Sequence, residues 1–155
     1  FSSTIAYYTV QTSYWSEFYS FAIGDVNGDG LADVVVADPG NGGKLNVFLQ
    51  NATGALTGPT LMGNTYYPGI EVHIADIDGD GLQDIIDVGC CGYHIYYQFP
   101  DHTFHDMASY GLSTYSSGGT SVHQAASIGD VNGDGLTDIL KSWSDEGVFV
   151  LPGKP

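Results

Sequence analysis

A single ten-residue phrase recurs three times, and a chain that carries tandem copies of one phrase has to fold as an array of like units. The copies are Gly24-Asp25-Val26-Asn27-Gly28-Asp29-Gly30-Leu31-Ala32-Asp33, Ala75-Asp76-Ile77-Asp78-Gly79-Asp80-Gly81-Leu82-Gln83-Asp84 and Gly129-Asp130-Val131-Asn132-Gly133-Asp134-Gly135-Leu136-Thr137-Asp138. Their first aspartate steps from 25 to 76 to 130, by 51 and then 54 residues, and the flanking sequence moves with it. An apolar run follows each copy, at Val34 to Ala37, Ile85 to Val88 and Ile139 to Leu140. A second comes later, at Leu45 to Gln50, His94 to Gln98 and Val148 to Leu151. A third lies before each copy, at Tyr19 to Ile23, Glu71 to Ile74 and Val122 to Ile128. These runs are short, rich in β-branched and aromatic residues, and bounded by Gly, Pro, Asn and Asp, which is the pattern of strands and turns. No window sustains a helical period. A fourth candidate strand per unit lies at Thr4 to Thr9, Leu56 to Met62 and Phe104 to Tyr110. Four strands in about 50 residues is the size of a propeller blade. The expected fold is all-β, one array of three four-stranded β-propeller blades, with sequence repeats at about 1–55, 56–103 and 104–155.

Counted from its first aspartate, each copy places oxygen donors at positions 1, 3, 5 and 9, a backbone carbonyl at 7, and Gly at 6 where a sharp turn is needed. The first loop offers Asp25, Asn27, Asp29, the Leu31 carbonyl and Asp33. The second offers Asp76, Asp78, Asp80, the Leu82 carbonyl and Asp84, and the third Asp130, Asn132, Asp134, the Leu136 carbonyl and Asp138. Hard, oxygen-only ligands at this spacing point to calcium, three ions in all, and a loop with five or more protein oxygens suits calcium better than the smaller magnesium. Asx-rich turns form without metal, but turn propensity does not call for alternating carboxylates three times over. The loops are not EF-hands, because the twelfth positions are Val36, Asp87 and Lys141 rather than Glu, and strands replace the flanking helices. Asp87 is given no ligand role.

Charge supports the same reading. The 155 residues hold 18 Asp plus Glu against three lysines and no arginine, a net charge of −15. Ten of the 18 acids sit in the three loops, where their mutual repulsion opposes folding until a cation offsets it. Three divalent ions would bring −15 to −9. Such a surface repels a phosphate backbone, so nucleic acid and anionic membranes are poor partners. No apolar run reaches the ~18 residues of a membrane span. The N-terminus, Phe1-Ser2-Ser3-Thr4, lacks the charged and apolar regions of a signal peptide, so the expectation is a mature form or an excised piece.

The phrase Gly/Ala-Asp-Val/Ile-Asn/Asp-Gly-Asp-Gly-Leu-x-Asp-Val/Ile, followed by a Gly-rich loop and an aromatic strand, resembles the FG-GAP and VCBS repeats of the integrin-α-like calcium β-propeller family. The resemblance covers nearly the whole chain. It departs from the integrin form in lacking a clear Phe-Gly and Gly-Ala-Pro pair, Ala37-Asp38-Pro39 being the nearest remnant, and looks more like the microbial and fungal secreted branch. Dockerins share the Asp-Val-Asn-Gly-Asp-Gly string but continue into helices with two closely spaced copies, and thrombospondin-type repeats pack their loops far closer. The resemblance implies that each calcium loop joins the innermost strand of a blade to the next strand, on one face of the propeller. It also implies an extracellular or cell-surface setting.

The remaining signals are weaker. Trp15, Tyr66, Tyr67, Tyr93 and Trp143 fall in the other connections and are ligand-binding candidates, since a flat apolar face among polar neighbours suits a sugar ring; packing between blades is the plainer alternative for each. His94, His102 and His105 match no tight metal motif. The adjacent Cys90 and Cys91 form a candidate vicinal disulfide, with reduced thiols or an intermolecular bridge as alternatives. Asn51-Ala52-Thr53 is a candidate glycosylation site. No nucleophile elbow, zinc-protease or phosphate-loop motif is present, and Glu17, Glu71 and Glu146 nominate no acid-base pair. The expected function is a calcium-stabilised adhesion or recognition module for glycan or extracellular protein, without enzymatic activity. A catalytic propeller, or one attached to a polysaccharide-active enzyme, is one alternative, and a subunit of an extracellular fibre or surface layer another. Because the chain begins with an outer-type strand and stops before the next, it is expected to be completed by strand exchange in a homo-oligomer or by a larger parent propeller.

Overall fold

The computed structural model describes residues 8, 20–38, 43–63, 69–89, 92–111, 125–143 and 147–154. Among them there are eleven β-strands and no helix. The strands are β1 (Phe21–Gly24), β2 (Asp33–Asp38), β3 (Lys44–Gln50), β4 (Leu56–Met62), β5 (Gly69–Ala75), β6 (Asp84–Gly89), β7 (Gly92–Gln98), β8 (Phe104–Gly111), β9 (Ala126–Gly129), β10 (Asp138–Trp143) and β11 (Gly147–Leu151). They form three antiparallel meanders: β1-β2-β3-β4, β5-β6-β7-β8 and the three-stranded β9-β10-β11. Each outer-type strand pairs with the triplet before it, so the sheets break after Met62 and after Gly111 and run one strand out of step with the sequence repeats. The expected strand at Thr4 to Thr9 lies outside the described residues except for Tyr8.

The sheets stack in chain order. β1 packs against β5 and β5 against β9, as inner strands around a common axis do. Side-chain ties fix these inner strands to one another. The Val72 N–H donates to Ser20 Oγ (3.1 Å), and the Ala126 N–H donates to Glu71 Oε2 (2.7 Å). Between the first and second sheets lies a core of Val35, Ala37, Leu45, Val47, Val72, Ile85 and Tyr96, and between the second and third one of Ile86, Val88, Tyr93, Ile95 and Ile139. The middle sheet is covered on both faces, and all six residues of β6 are buried. That explains why Ile85 and Ile86 are adjacent apolar residues: a strand buried on both sides reads as a continuous run, not as an alternation. Burying one such isoleucine contributes about 2–3 kcal/mol. Pro59, which cannot donate to a ladder, sits in β4, an outer strand with only one sheet neighbour, where a missing donor is tolerated.

Candidate metal centre

The aspartate loops connect β1 to β2, β5 to β6 and β9 to β10, and their internal bonding repeats from one loop to the next. The position-1 carboxylate is the hub. In the first loop Asp25 Oδ1 accepts from the Gly28 N–H (2.7 Å) and Oδ2 from the Gly30 N–H (2.7 Å). Asp76 does the same with Gly79 (2.7 Å) and Gly81 (2.9 Å), and Asp130 with Gly133 (2.6 Å) and Gly135 (2.9 Å). The chain winds around this hub only because residues 4 and 6 of each loop take left-handed backbone, with φ of 71° and 82° in the first. Glycine adopts that conformation without a steric cost. The position-5 carboxylate closes the turn by accepting from the position-7 N–H, at Leu31, Leu82 and Leu136 (2.8, 2.8 and 2.9 Å).

The position-9 carboxylate is a bracket. Asp33 Oδ2 accepts from the Val26 N–H (3.0 Å) at the loop's start, and Oδ1 from the Gln50 N–H (2.8 Å) at the end of β3. Asp84 brackets Ile77 (3.0 Å) and Gln98 (2.9 Å), and Asp138 brackets Val131 (2.9 Å) and Gly153 (2.9 Å). All three brackets are fully buried. Desolvation pushes Asp84 up to about 6, against the amide bonds from Ile77 and Gln98 and with added repulsion from Asp78 and Asp80. Desolvation also raises Asp33, and it raises Asp78 together with the charges of Asp80 and Asp76. Asp138 goes the other way, held below its ordinary value by the amides of Val131 and Gly153. The raised values come first from burial of the carboxylates, with repulsion between neighbouring aspartates adding to it.

The donor set suits a hard cation. In the second loop, carboxylate oxygens of Asp76, Asp78 and Asp84 lie within 4.8 Å of one another, close enough for one ion to bridge them. Every carboxylate oxygen that accepts one amide keeps a further lone pair for a metal. Loops one and three carry Asn at position 3, and there the amide nitrogen donates to the position-5 carboxylate, Asn27 to Asp29 (3.0 Å) and Asn132 to Asp134 (2.9 Å).

Of the expected ligand candidates, Trp15, Tyr66 and Tyr67 lie outside the described residues, as do Cys90 and Cys91. Trp143 ends β10, with its side chain outside the description. Tyr93 lies in β7, not in a loop; at 4% exposure it faces the third sheet. Asn51 Oδ1 accepts from the Thr53 and Ala55 amides and shapes the β3–β4 turn. Glu71 ties β5 to β9. Three features were not read from the sequence. They are the bracketing by position 9, the glycine at position 4, and a contact from each following sheet onto the preceding loop. The glycine had a visible signal, since Gly recurs at position 4 in all three copies.

A search of curated proteins finds no match to the sequence. Among solved structures the fold is similar to a chain of the Photorhabdus luminescens Tc holotoxin pore, with a TM-score of 0.53 and 21% identity over 85% of this chain. The match spans 6% of that much longer chain and shows a shared fold. Residues 25–86 match the family described as FG-GAP-like repeat. With sheets stacked as propeller blades stack, the chain is a β-propeller-like module, and its segment 25–86, which holds the first two aspartate loops, is similar to the FG-GAP-like repeat.

Proposed function

We propose that the chain is a calcium-binding recognition module that works outside the cell or at its surface, with structural calcium in each of the three loops and a glycan or extracellular protein as its ligand. The observation that carries this reading is the convergence of Asp76, Asp78 and Asp84 in a loop whose bonding is repeated by the other two. The ion would be held by the carboxylates at positions 1, 3, 5 and 9, with Asn at 3 in loops one and three, and by the Leu31, Leu82 and Leu136 carbonyls. When bound it supplies positive charge that offsets the clustered carboxylates, so binding energy becomes folding energy. The loops commit one end of each sheet to metal. Ligand recognition is assigned to the opposite connections, where Trp15, Tyr66 and Tyr67 fall in the sequence and which Trp143, the last residue of β10, borders, because loops on a rigid scaffold are the parts free to carry specificity. No acid-base pair is assigned, and the module is proposed to be non-enzymatic.

The test combines stability and binding. Calcium at a hundredfold excess over Kd adds about 2.7 kcal/mol per site if it binds only the folded state. The melting temperature should therefore rise in calcium and fall in EDTA, and glycan-array binding should be lost with Ala at the four aromatics. An identical melt in EDTA defeats the structural-calcium reading, and array binding untouched by all four changes defeats the assignment of the ligand face.

A further inference from the structure

Successive aspartate loops touch one another, and one of the contacts is a hydrogen bond into the metal-binding machinery of the neighbour. Gln83 is position 8 of the second loop, between Leu82, whose carbonyl is a candidate donor, and the bracket Asp84. Its Oε1 accepts from the backbone N–H of Asp25 (2.7 Å), across 58 residues of chain. Asp25 is the hub of the first loop, the residue whose carboxylate gathers the amides of Gly28, Asp29 and Gly30. Gly24, immediately before it, leaves room for this approach: a Cβ there would collide with Gln83 Oε1 and with Ile74 Cγ2. A second support comes from the same sheet. His102, in the turn between β7 and β8, packs on Gly28, where any Cβ would overlap its ring. The first loop is thus held at positions 1 and 4 by the sheet that carries the second loop.

The contact depends on the residue at position 8. Ala32 occupies that place in the first loop and has no polar group, while Thr137 in the third has a shorter side chain. The third loop reaches the second by an apolar contact instead, with Leu136 Cδ2 2.9 Å from where a Cβ on Gly79 would stand.

We infer that Gln83 is a positioning residue that couples the first two metal loops, so that a cation in the second raises the affinity of the first. The inference rests on the calcium reading above. A cation held by Asp78, the Leu82 carbonyl and Asp84 orders the backbone on both sides of Gln83. Its side chain then meets the Asp25 amide from a fixed base, and part of the ordering cost of the first loop is met in advance. Coupling between binding sites is reciprocal, so a cation in the first loop raises the affinity of the second by the same factor.

The experiment is a double-mutant cycle on the full chain, with calcium as the probe and the backbone amide shifts of Gly30 and Gly81 reporting each loop separately. Asp78→Ala disables the second loop. In the parent chain it should weaken calcium binding at Gly30 by about fivefold or more, the lower end of ordinary coupling. In the Gln83→Ala background the same change should leave Gly30 unaffected, and Gln83→Glu, which keeps an acceptor at the same reach, should restore the effect. A merely structural role for Gln83 would lower the melting temperature without altering the cycle. Equal weakening at Gly30 in the parent and in the Gln83→Ala background, or none in the parent, overturns the coupling. Amides that do not respond to calcium at all overturn the metal reading, and the coupling with it.

Discussion

Asp87 occupies the same repeat position as Val36 and Lys141, and the three meet their surroundings in different ways. Lys141 is buried but donates from Nζ to the Gly89 carbonyl (2.8 Å) of the sheet before it. Val36 is half-buried and apolar. Asp87 is fully buried in β6, flanked by Val72 on β5 and His94 on β7, and neither of its oxygens has a hydrogen-bond partner among the described residues. Burial pushes its carboxyl up to about 7. An acid raised in the folded state holds its proton there while the unfolded chain has released it. Asp87 therefore favours folding below about pH 4, and that contribution is lost as pH rises through about 7. The full shift corresponds to at most about 4 kcal/mol by pH 8. Asp87→Val, which copies the residue of the first sheet, should raise the calcium-free melting temperature at pH 8 and flatten the decline between pH 5 and pH 8. A slope identical in both proteins would show that Asp87 does not titrate in that window. The sequence showed Asp87 at the twelfth position and carried no sign of its burial. Its environment is set by neighbours across the sheet, Val72 on β5 and His94 on β7, and a spacing argument within the loop does not see them.

At the scale of the element, each loop separates two jobs that look alike in sequence. Position 5 faces solvent and accepts an exposed amide, whereas position 9 is buried and accepts two amides that belong to different segments. Removing an acceptor from a buried amide costs about 1–3 kcal/mol. Asp84→Ala should thus destabilise the protein even in EDTA, by about that amount after relief of carboxylate repulsion. Asp80→Ala should cost little in EDTA and instead shrink the stabilisation by calcium. Chemical denaturation of both variants with and without calcium distinguishes the roles, and equal losses for the two in EDTA would contradict the bracket. The strands themselves were legible because β-branched runs alternate with Gly, Asn and Asp. β4 runs from Leu56 to Met62 as expected, and β2, β3, β6 and β8 extend one residue further at one or both ends. β7 was read two residues short, which placed Tyr93 in a loop: Gly92 and Tyr93 carry turn-like and surface-like signals, but pairing with Gly89 and Val88 draws both into the ladder.

Across the whole molecule, the two end sheets present faces that the middle sheet keeps covered. Position 2 of each loop makes the point. Val26 and Ile77 are 2% and 4% exposed because the next sheet covers them, while Val131, with no sheet described beyond it, is 51% exposed. On that side of the third sheet Val148 and Val150 are also exposed. At the other end, Phe21 is 66% exposed, whereas its counterpart in the second sheet, Val72, is 3% exposed against the first. Tyr8, from the expected N-terminal strand, touches this end face, its ring edge-on to Phe48 (6.0 Å) and its hydroxyl accepting from the Leu56 N–H (3.1 Å). One end is therefore the kind of face that covers, and the other the kind that is covered. β11 also lacks a fourth strand beside it among the described residues, and a cavity of about 240 Å³ lined by Tyr93, Ile95, Tyr97, Leu151 and Pro152 opens next to it. Exposed apolar faces and free strand edges favour association. Two copies related by a twofold axis would set the third sheet of each against the first sheet of the other and close six sheets, with the segment Thr4 to Thr9 of one copy, a strand by expectation from the sequence alone, beside β11 of its partner. Sedimentation in calcium should show a dimer that Phe21→Lys or Val148→Lys converts to a folded monomer. If neighbouring sheets come instead from a longer parent chain, the unsubstituted protein will sediment as a monomer at every soluble concentration, and the dimer is wrong.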